Sequence, residues 1–403
     1  MRSTFWLALA ACLSAASAAA QALPKTPAEA LAMEQEDRLP PSTFYDVPSP
    51  LPLGKPGELI RSEPADDYAL PRGASAVRIL YHSQNATGGD VATSGVVLIP
   101  RGVPPETGWP VIAWAHGTTG VARICGPSTM KDVYYGDEGL FPMVEAGFAV
   151  VATDYAGLGT AGPHQYVSKP AQVHDVIDAI PAARAAVPRL GRKWVVDGHN
   201  QGGLTAWGVA EAEAGIKDPD YLGAVSVAGA ADLHAILERM GGSADAGFYL
   251  RFMAYGVHAR FPEFKPSSML ADAALAKYDD VTSKGCWFYA YAVALADKGP
   301  QLRPGWDQDP SVQQFLAENA LGERPIFGPL LVITGDGDKT VPVESVRATV
   351  AKACKAGIPV DFKVYPGLDH DPTMTNSTPD QLRWIKDRFA GKPAAPGCGD
   401  SNG

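Results

Sequence analysis

The stretch that decides the fold is Lys193 to Gly203, which reads KWVVDGHNQGG. Its first five residues have the apolar character of a short buried strand, the glycine-rich part predicts a tight turn, and a helical pattern begins at Leu204. Glycines two residues before and two after Asn200 suit a sharp strand-turn-helix elbow, because side chains there would collide with neighbouring backbone. Serine is the central residue of the G-x-S-x-G elbow pattern, and this chain has Asn200 instead.

Apolar runs on both sides of the elbow predict a mostly parallel central sheet. Continuous apolar strands that alternate with helices are typical of an α/β fold whose sheet is covered on both faces. Two earlier runs, 77–82 and 93–100, flank a turn-prone segment and predict an antiparallel pair that begins the sheet. The continuous runs lie at 110–115, 147–153, 223–229 and 329–334, and a further strand is predicted at 360–365.

The first residues have the pattern of an export signal. Arg2 precedes a short apolar segment, and small residues follow where a signal peptidase would cut. We therefore predict a secreted or periplasmic protein, with a lipid anchor at Cys12 as the alternative. The predicted division is a signal peptide 1–22, an extended N-terminal arm 23–75, the first part of the core 76–229, a helical cap 230–324, the second part of the core 325–390 and a C-terminal tail 391–403.

Four further expectations concern the arm and the helices. The proline-rich arm shows no regular period, so it is expected to lie extended over the surface. A helix is predicted at 171–187, where Pro181 predicts a kink or a break. The segment 230–324 is helical in pattern and rich in aromatic residues, and a final amphipathic helix is predicted at 379–389.

Composition limits the function classes. The chain has 403 residues, 46% hydrophobic and 19% charged, with a formal net charge of −10. A negative chain without a basic run interleaved with aromatic residues argues against nucleic acid as a partner. No metal-ligand spacing and no phosphate-binding loop occur in the sequence, so no metal and no cofactor are expected.

Four cysteines outside the signal predict two disulfides with three possible connectivities, or else free thiols: Cys125, Cys286, Cys354 and Cys398.

The candidate chemistry lies in two loops that follow strands late in the chain. Asp338 stands in a loop after the strand at 329–334, with Asp336 as the alternative acid, and His370 follows the strand at 360–365. The order nucleophile, acid, histidine is that of α/β-hydrolases. In that arrangement the histidine acts as the base for a nucleophile, and the carboxylate orients the imidazole.

A reaction of this kind also needs two preorganised N–H groups that bind an oxyanion. The residue after the elbow centre, Gln201, is expected to supply one of them. The second could come from 116–118 or from 154–155, two glycine-rich strand exits. The alternative interpretation is that both of these loops are only tight turns.

Together these motifs resemble the secretory lipase family, over about Phe44 to Phe389. The resemblance rests on the elbow, the segments 116–120 and 154–159, the cap position and the histidine loop. It implies disulfides Cys125–Cys286 and Cys354–Cys398, oxyanion contacts from Asp154 and Gln201, and a helical cap over an acyl tunnel. It also implies hydrolysis of carboxylic esters, with a small-molecule ester as the partner.

Asn200 complicates this function, because an amide nitrogen is a poor nucleophile and offers no hydroxyl proton for His370 to remove. In one interpretation the active form has serine at this position and this chain is a substituted, trapping version. In another, the chain is a natural pseudoenzyme that binds a hydrophobic ester or acid. In the third, Asn200 deamidates to a carboxylate nucleophile, a route disfavoured because Gln201 and not glycine follows. A peptidase on the same fold is a further alternative.

Overall fold

The computed structural model describes residues 22–242, 246–395 and 397–398. The predicted signal peptide, apart from its last residue, and Cys12 lie outside this range. Within it the backbone forms a nine-stranded sheet. Its strands are β1 Leu59–Ala65, β2 Ser75–Gln84, β3 Asp90–Ile99, β4 Trp109–Ala115, β5 Ala149–Thr153, β6 Leu190–His199, β7 Tyr221–Val227, β8 Leu330–Gly335 and β9 Val360–Tyr365.

The strands follow the order β1-β2-β3-β5-β4-β6-β7-β8-β9. The contacts between β1, β2, β3 and β5 are antiparallel, and those from β5 through β4 to β9 are parallel. In register, Asp197 of β6 pairs with Trp114 of β4 and with Val225 of β7. The parallel α/β sheet is therefore confirmed, and the elbow lies at the carboxyl edge of a central strand, where open α/β sheets bind ligands.

Helices surround this sheet and connect its strands. Their bounds are α1 Pro27–Asp37, α2 Phe141–Glu145, α3 Lys169–Ala186, α4 Gln201–Ile216, α5 Leu233–Gly241, α6 Gly247–Arg260, α7 Pro266–Met269, α8 Asp272–Leu275, α9 Tyr278–Ser283, α10 Trp287–Ala294, α11 Pro310–Asn319, α12 Val343–Lys355 and α13 His370–Phe389. No helix in the described part of the chain has the length and apolarity needed to cross a bilayer.

Both faces of the sheet are buried, as its apolar strands predict. Successive residues of β6 point to opposite faces, with Val196 in the cluster under α3 and α4 and Val195 in the cluster under α2 and α13. Trp207 on α4 and Trp114 on β4 fill the two clusters, and each is 1% exposed. This packing on both faces holds the elbow rigidly between β6 and α4.

The N-terminal arm differs from the prediction of an extended segment. It contains α1 and also β1, which pairs with β2 at the edge of the sheet. The start of α1 is specified locally, since the Thr26 side chain accepts a hydrogen bond from the N–H of Glu29 and proline follows Thr26. The Glu34 carboxylate then accepts the N–H of Cys286 at 2.9 Å, which docks α1 onto the segment 230–324.

Two helices also differ from their predicted bounds. The break predicted at Pro181 does not occur, because α3 continues through it to Ala186. The last helix begins at His370 and includes Pro379, which was the predicted start. Asp369 caps it by accepting the N–H of His370 at 2.9 Å. The beginning of this helix therefore fixes the position of the predicted catalytic histidine.

The segment 230–324 contains helices α5 to α11, and its described residues form no strand of the sheet. A disulfide between Cys125 and Cys286 joins the loop after β4 to the start of α10. A second disulfide joins Cys354 at the end of α12 to Cys398 near the C-terminus. Both pairings implied by the family resemblance are therefore confirmed, and the alternative of free thiols is wrong.

A buried ion pair connects three parts of the chain. The Lys169 ammonium on α3 donates to the Glu211 carboxylate on α4 at 2.7 Å and to the carbonyl oxygen of Ala320 at 2.6 Å. Both side chains of the ion pair are 4% exposed. A buried ion pair costs desolvation energy, so its removal as a pair is tolerated far better than the loss of one partner.

We expect Lys169→Met to lower the free energy of unfolding by about 3–5 kcal/mol, because it leaves Glu211 buried without a cation. The double variant Lys169→Met/Glu211→Leu should recover most of this loss. Denaturant unfolding of the wild-type chain and the two variants measures the effect. Lys392→Met, at an exposed ion pair with Asp387, is the matched control and should change stability little. Equal losses in the single and double variants would contradict the prediction.

Candidate active site

Asn200 lies at the sharp turn between β6 and α4, with φ 57° and ψ −115°. This backbone conformation is unusual for a residue with a side chain, and such strain is common where a side chain must be presented at a site. A side chain at Gly198 would lie 2.2 Å from the carbonyl oxygen of Gly202, and one at Gly202 would lie 1.8 Å from that of Ala115. The two glycines are therefore required by the turn.

The Asn200 carboxamide is held by the loop after β4. Its oxygen Oδ1 accepts the backbone N–H of Thr118 at 3.3 Å and the Thr118 hydroxyl at 3.1 Å. That hydroxyl is also 2.7 Å from the Tyr166 hydroxyl. The shorter contact assigns the Thr118 proton to Asn200 and not to Oε1 of Gln201 at 3.4 Å, and Tyr166 then donates its own proton to Thr118. Two donors therefore converge on one oxygen next to the elbow.

Asp338 and His370 meet as their order along the chain predicts. The Nδ1 atom of His370 is 2.7 Å from Oδ2 of Asp338, and both residues are buried. The other carboxylate oxygen accepts the backbone N–H groups of Thr340 at 2.8 Å and Val341 at 2.7 Å. The carboxylate is thus fixed on both sides, and it holds the imidazole with Nε2 as the free nitrogen.

Asp336, the alternative acid, has a different contact. Its carboxylate accepts the backbone N–H of Gly367 at 2.5 Å, which connects the two loops after β8 and β9. The carboxylate that accepts the hydrogen bond from His370 is that of Asp338. The geometry therefore favours Asp338 over Asp336 as the orienting carboxylate.

Burial favours the neutral His370 ring, but the negative charge of Asp338 and its hydrogen bond outweigh burial and raise the pKa of His370 above the ordinary 6.5. We expect NMR titration of the imidazole to show a midpoint above 6.5. Asp338→Asn should move this midpoint below that of the wild-type chain, because burial then acts without the carboxylate. His116, whose pKa burial lowers to about 4, is the internal control. An unchanged midpoint in Asp338→Asn would contradict the assignment.

His199 stands directly before Asn200 and beside His370, with ring centroids 4.6 Å apart. Its Nδ1 is 3.0 Å from the Tyr135 hydroxyl, and burial together with His370 lowers its pKa well below 6.5. Among the described residues, His199, His370 and Asp371 offer ligand atoms within 4.8 Å of one another and could hold a metal ion. Asp338 already orients the His370 ring through Nδ1. The group of three residues is therefore also compatible with proton transfer by His370 without a metal ion.

The two predicted oxyanion residues have different environments. Gln201 is the first residue of α4, where a backbone N–H has no partner within the helix. The Asp154 N–H, in contrast, donates to the carbonyl oxygen of Ser94 at 2.8 Å, and its carboxylate accepts the N–H of Ser128 at 2.7 Å. These contacts do not support the prediction of Asp154 as a substrate contact, since its donor is used within the sheet. Thr118 has the donors that face Asn200.

A cavity with about 400 Å³ of empty space, which includes open solvent, reaches Asn200 and Gln201. One wall comes from the loop after β8, through Thr340 and Val341. A larger part of the lining belongs to the segment predicted as the cap, and it is mostly apolar: Leu233, Ile236, Leu237, Met240, Tyr249 and Met253. The position beside the elbow therefore faces a space that suits an apolar group.

The sequence model of the Secretory lipase family matches residues 129–397. These residues include the elbow and the loops of Asp338 and His370. The chain belongs to the secretory lipase family. Lipase 6 of Candida albicans and Lipase A of Arthroderma benhamiae are each 24% identical to it, over 89% and 91% of this chain and 84% of either relative. A Mycobacterium tuberculosis protein whose name describes it as a probable inactive lipase is 24% identical over 87% of this chain and 82% of that protein.

Solved structures show the same fold as this chain. Candida antarctica lipase A in its closed state superposes with a TM-score of 0.73 at 17% identity, over 89% of each chain. The rice cell wall degrading esterase LipA from Xanthomonas oryzae superposes with a TM-score of 0.67 at 20% identity, over 84% of this chain and all of that one. The α/β-hydrolase fold is therefore confirmed.

Sequence reasoning missed three side chains of this candidate site. They are the hydroxyl-bearing side chains of Thr118, Tyr166 and Tyr135, the last of which contacts His199. Their positions depend on loop paths that leave no periodic signal in the sequence. The only sequence signal was the glycine-rich exit of β4, which was considered for its N–H groups. A threonine at this exit can add a side-chain donor to its own N–H.

Proposed function

We propose that this chain is built as an exported carboxylic ester hydrolase whose nucleophile position is occupied by Asn200. The observation that carries the proposal is the His370–Asp338 pair beside a strained elbow whose central side chain meets the two Thr118 donors. In a serine form, His370 would accept the hydroxyl proton while the oxygen attacks the ester carbonyl. The developing oxyanion would bind the N–H groups of Thr118 and Gln201.

The substrate class follows from the cavity beside the elbow. Its apolar wall from α5 and α6 suits a hydrocarbon acyl group, and it offers no cluster of charges among its lining residues for a peptide terminus. An apolar ester is therefore favoured over a peptide. The segment 230–324 would act as the cap, because its helices α5 and α6 line the cavity together with the loop after β8.

Export is part of the proposal. The family is described as secretory, the first residues have a signal-peptide pattern, and two disulfides join distant parts of the chain. Disulfides persist in oxidising compartments and are rare in the cytosol.

One observation supports a second function, a protein that binds an ester or acid without cleaving it. In this chain the Asn200 oxygen already accepts both hydrogen bonds that Thr118 donates. In addition, one relative carries a name that describes it as a probable inactive lipase. A bound carboxylic group would then have to displace the Asn200 carboxamide. The apolar cavity would supply the affinity.

Labelling with an organophosphonate ester tests the hydrolase proposal. Such a probe traps an activated serine as a covalent adduct, so the Asn200→Ser variant should be labelled and the tryptic peptide containing position 200 should carry the adduct. The wild-type chain, which has Asn200, should remain unlabelled and serves as the control. Absence of labelling in a folded variant that still binds a fluorescent fatty acid would favour the binding function.

A further inference from the structure

We propose that Asn200 is a self-modification site, at which the His370–Asp338 pair and Thr118 catalyse hydrolysis of the Asn200 side-chain amide to aspartate. The proposal rests on the proposed function in one respect, since both use His370 as the base. It differs in its substrate, which is the protein itself. An ester is not required.

The amide carbonyl of Asn200 is already bound as a substrate carbonyl would be. Two donors from Thr118 converge on the Asn200 oxygen, at 3.3 Å from the N–H and 3.1 Å from the hydroxyl. An N–H donor requires the oxygen, and not the amide nitrogen, on this side of the carboxamide. The two donors polarise the carbonyl and would stabilise negative charge on its oxygen during attack.

A free base also lies next to the elbow. The Nε2 atom of His370 is buried and has no hydrogen-bond partner among the described residues. Its ring packs against His199, the residue before Asn200. A buried polar atom without a protein partner commonly binds water, and the cavity lined by Asn200 offers space for water beside the amide.

The reaction balances with one water. The water oxygen forms a bond to Cγ of Asn200 while Nε2 of His370 takes a water proton, and the carbonyl oxygen becomes an oxyanion held by Thr118. As the intermediate collapses, the Cγ–Nδ2 bond breaks and the imidazolium returns its proton to Nδ2, so that ammonia leaves. The new carboxylic acid then ionises, which gives an aspartate carboxylate and an ammonium ion.

This route differs from ordinary deamidation of asparagine in flexible chains. There, the backbone nitrogen of the next residue attacks the side chain, and the cyclic product opens to a mixture of aspartate and isoaspartate. Here that nitrogen belongs to Gln201, the first residue of α4, whose position is fixed by the packed elbow. Attack by water gives aspartate alone, so the two routes leave different products.

The test incubates the freshly purified full chain near neutral pH in oxygen-18-labelled water and follows the peptide containing position 200 by mass spectrometry. We expect first-order conversion to aspartate with one labelled oxygen and without isoaspartate. Asn319 is an internal control, because it is buried and its oxygen accepts the Lys169 N–H at 2.5 Å, but it lies outside the Thr118 site. It should stay unchanged.

Two variants separate catalysis from local flexibility. His370→Ala should slow the conversion at least about 10²-fold through loss of the general base. Thr118→Val keeps the shape of the side chain but removes the hydroxyl, and should slow the conversion by roughly 10²-fold, as loss of one oxyanion donor does. Circular dichroism checks that both variants fold, and His370→Gln replaces His370→Ala if that variant does not fold.

Equal rates in the wild-type chain and in folded His370→Ala, or an isoaspartate mixture, would overturn the proposal. Asn200 could also remain intact after long incubation while the Asn200→Ser variant hydrolyses esters. This result would overturn the proposal as well, because ester hydrolysis shows that His370 works as a base. Intact Asn200 together with an inactive Asn200→Ser variant would overturn this proposal and the proposed function together.

Discussion

Asn200→Ser is expected to raise ester hydrolysis by roughly 10⁴- to 10⁶-fold in kcat over the freshly purified chain, the range lost when a serine nucleophile is removed from a working triad. The reason is that every other part of the site is already positioned. His370 is oriented by Asp338 at 2.7 Å, and the Thr118 donors that bind the Asn200 oxygen become free for an ester oxygen. Hydrolysis of nitrophenyl esters from acetate to palmitate measures the gain and ranks the acyl groups.

Asn200→Ala is the matched control for this gain. It frees the Thr118 donors without adding a nucleophile, so its activity should stay near that of the chain as written. A similar gain in Asn200→Ala would show that the open oxyanion site, and not the serine, produces the hydrolysis. A folded Asn200→Ser variant that hydrolyses no ester of the panel would refute the assignment of position 200.

Asp338→Asn, introduced into the Asn200→Ser variant, is expected to lower kcat by about 10⁴-fold, as loss of the orienting carboxylate does in serine proteases. An asparagine at 338 can no longer stabilise the imidazolium of His370, and it favours the wrong tautomer. The pH dependence changes as well. The His370 pKa is raised in the presence of Asp338, so activity falls as pH drops through that raised pKa, and without the carboxylate the fall should occur at lower pH.

Asp336→Asn in the same background is a close control, because it removes one charge from the same loop. The Asp336 carboxylate accepts the Gly367 N–H and has no hydrogen bond to His370 among the described contacts. Kinetics of both double variants on one nitrophenyl ester should therefore show a large loss only for Asp338→Asn. A comparable loss for Asp336→Asn would mean that the loop conformation, and not the carboxylate at 338, carries the effect.

The sequence alone predicted the sheet and the elbow well, and the physical reason is clear in each case. Parallel strands buried on both faces must be continuously apolar, so β4, β5, β7 and β8 were visible as runs, whereas the edge strand β9 alternates buried and half-buried residues. The glycines around Asn200 are required by backbone contacts as short as 1.8 Å. Asp338 and His370 follow their strands directly, which fixes them at the same edge of the sheet.

The remaining features depend on contacts that no local pattern contains. The N-terminal helix α1 begins with a cap at Thr26, but prolines further along the arm obscured it. Asp154 was favoured by family resemblance, and only the strand pairing shows that its N–H is used by Ser94. Thr118 has the donors at Asn200 because the loop after β4 returns toward the elbow, a path that side-chain periodicity cannot report.

The disulfide between Cys125 and Cys286 has a consequence for how samples of this protein should be prepared. Thr118 and Thr119 lie in the loop that this bond anchors, and the Thr119 carbonyl accepts the N–H of Trp287 at 2.8 Å. Synthesis in a reducing cytosol would leave that loop tethered by hydrogen bonds alone. Protein made there would keep its sheet, and hence its far-ultraviolet spectrum, while losing the alignment of the Thr118 donors. Thiol titration is therefore the quality check that should precede any measurement at position 200.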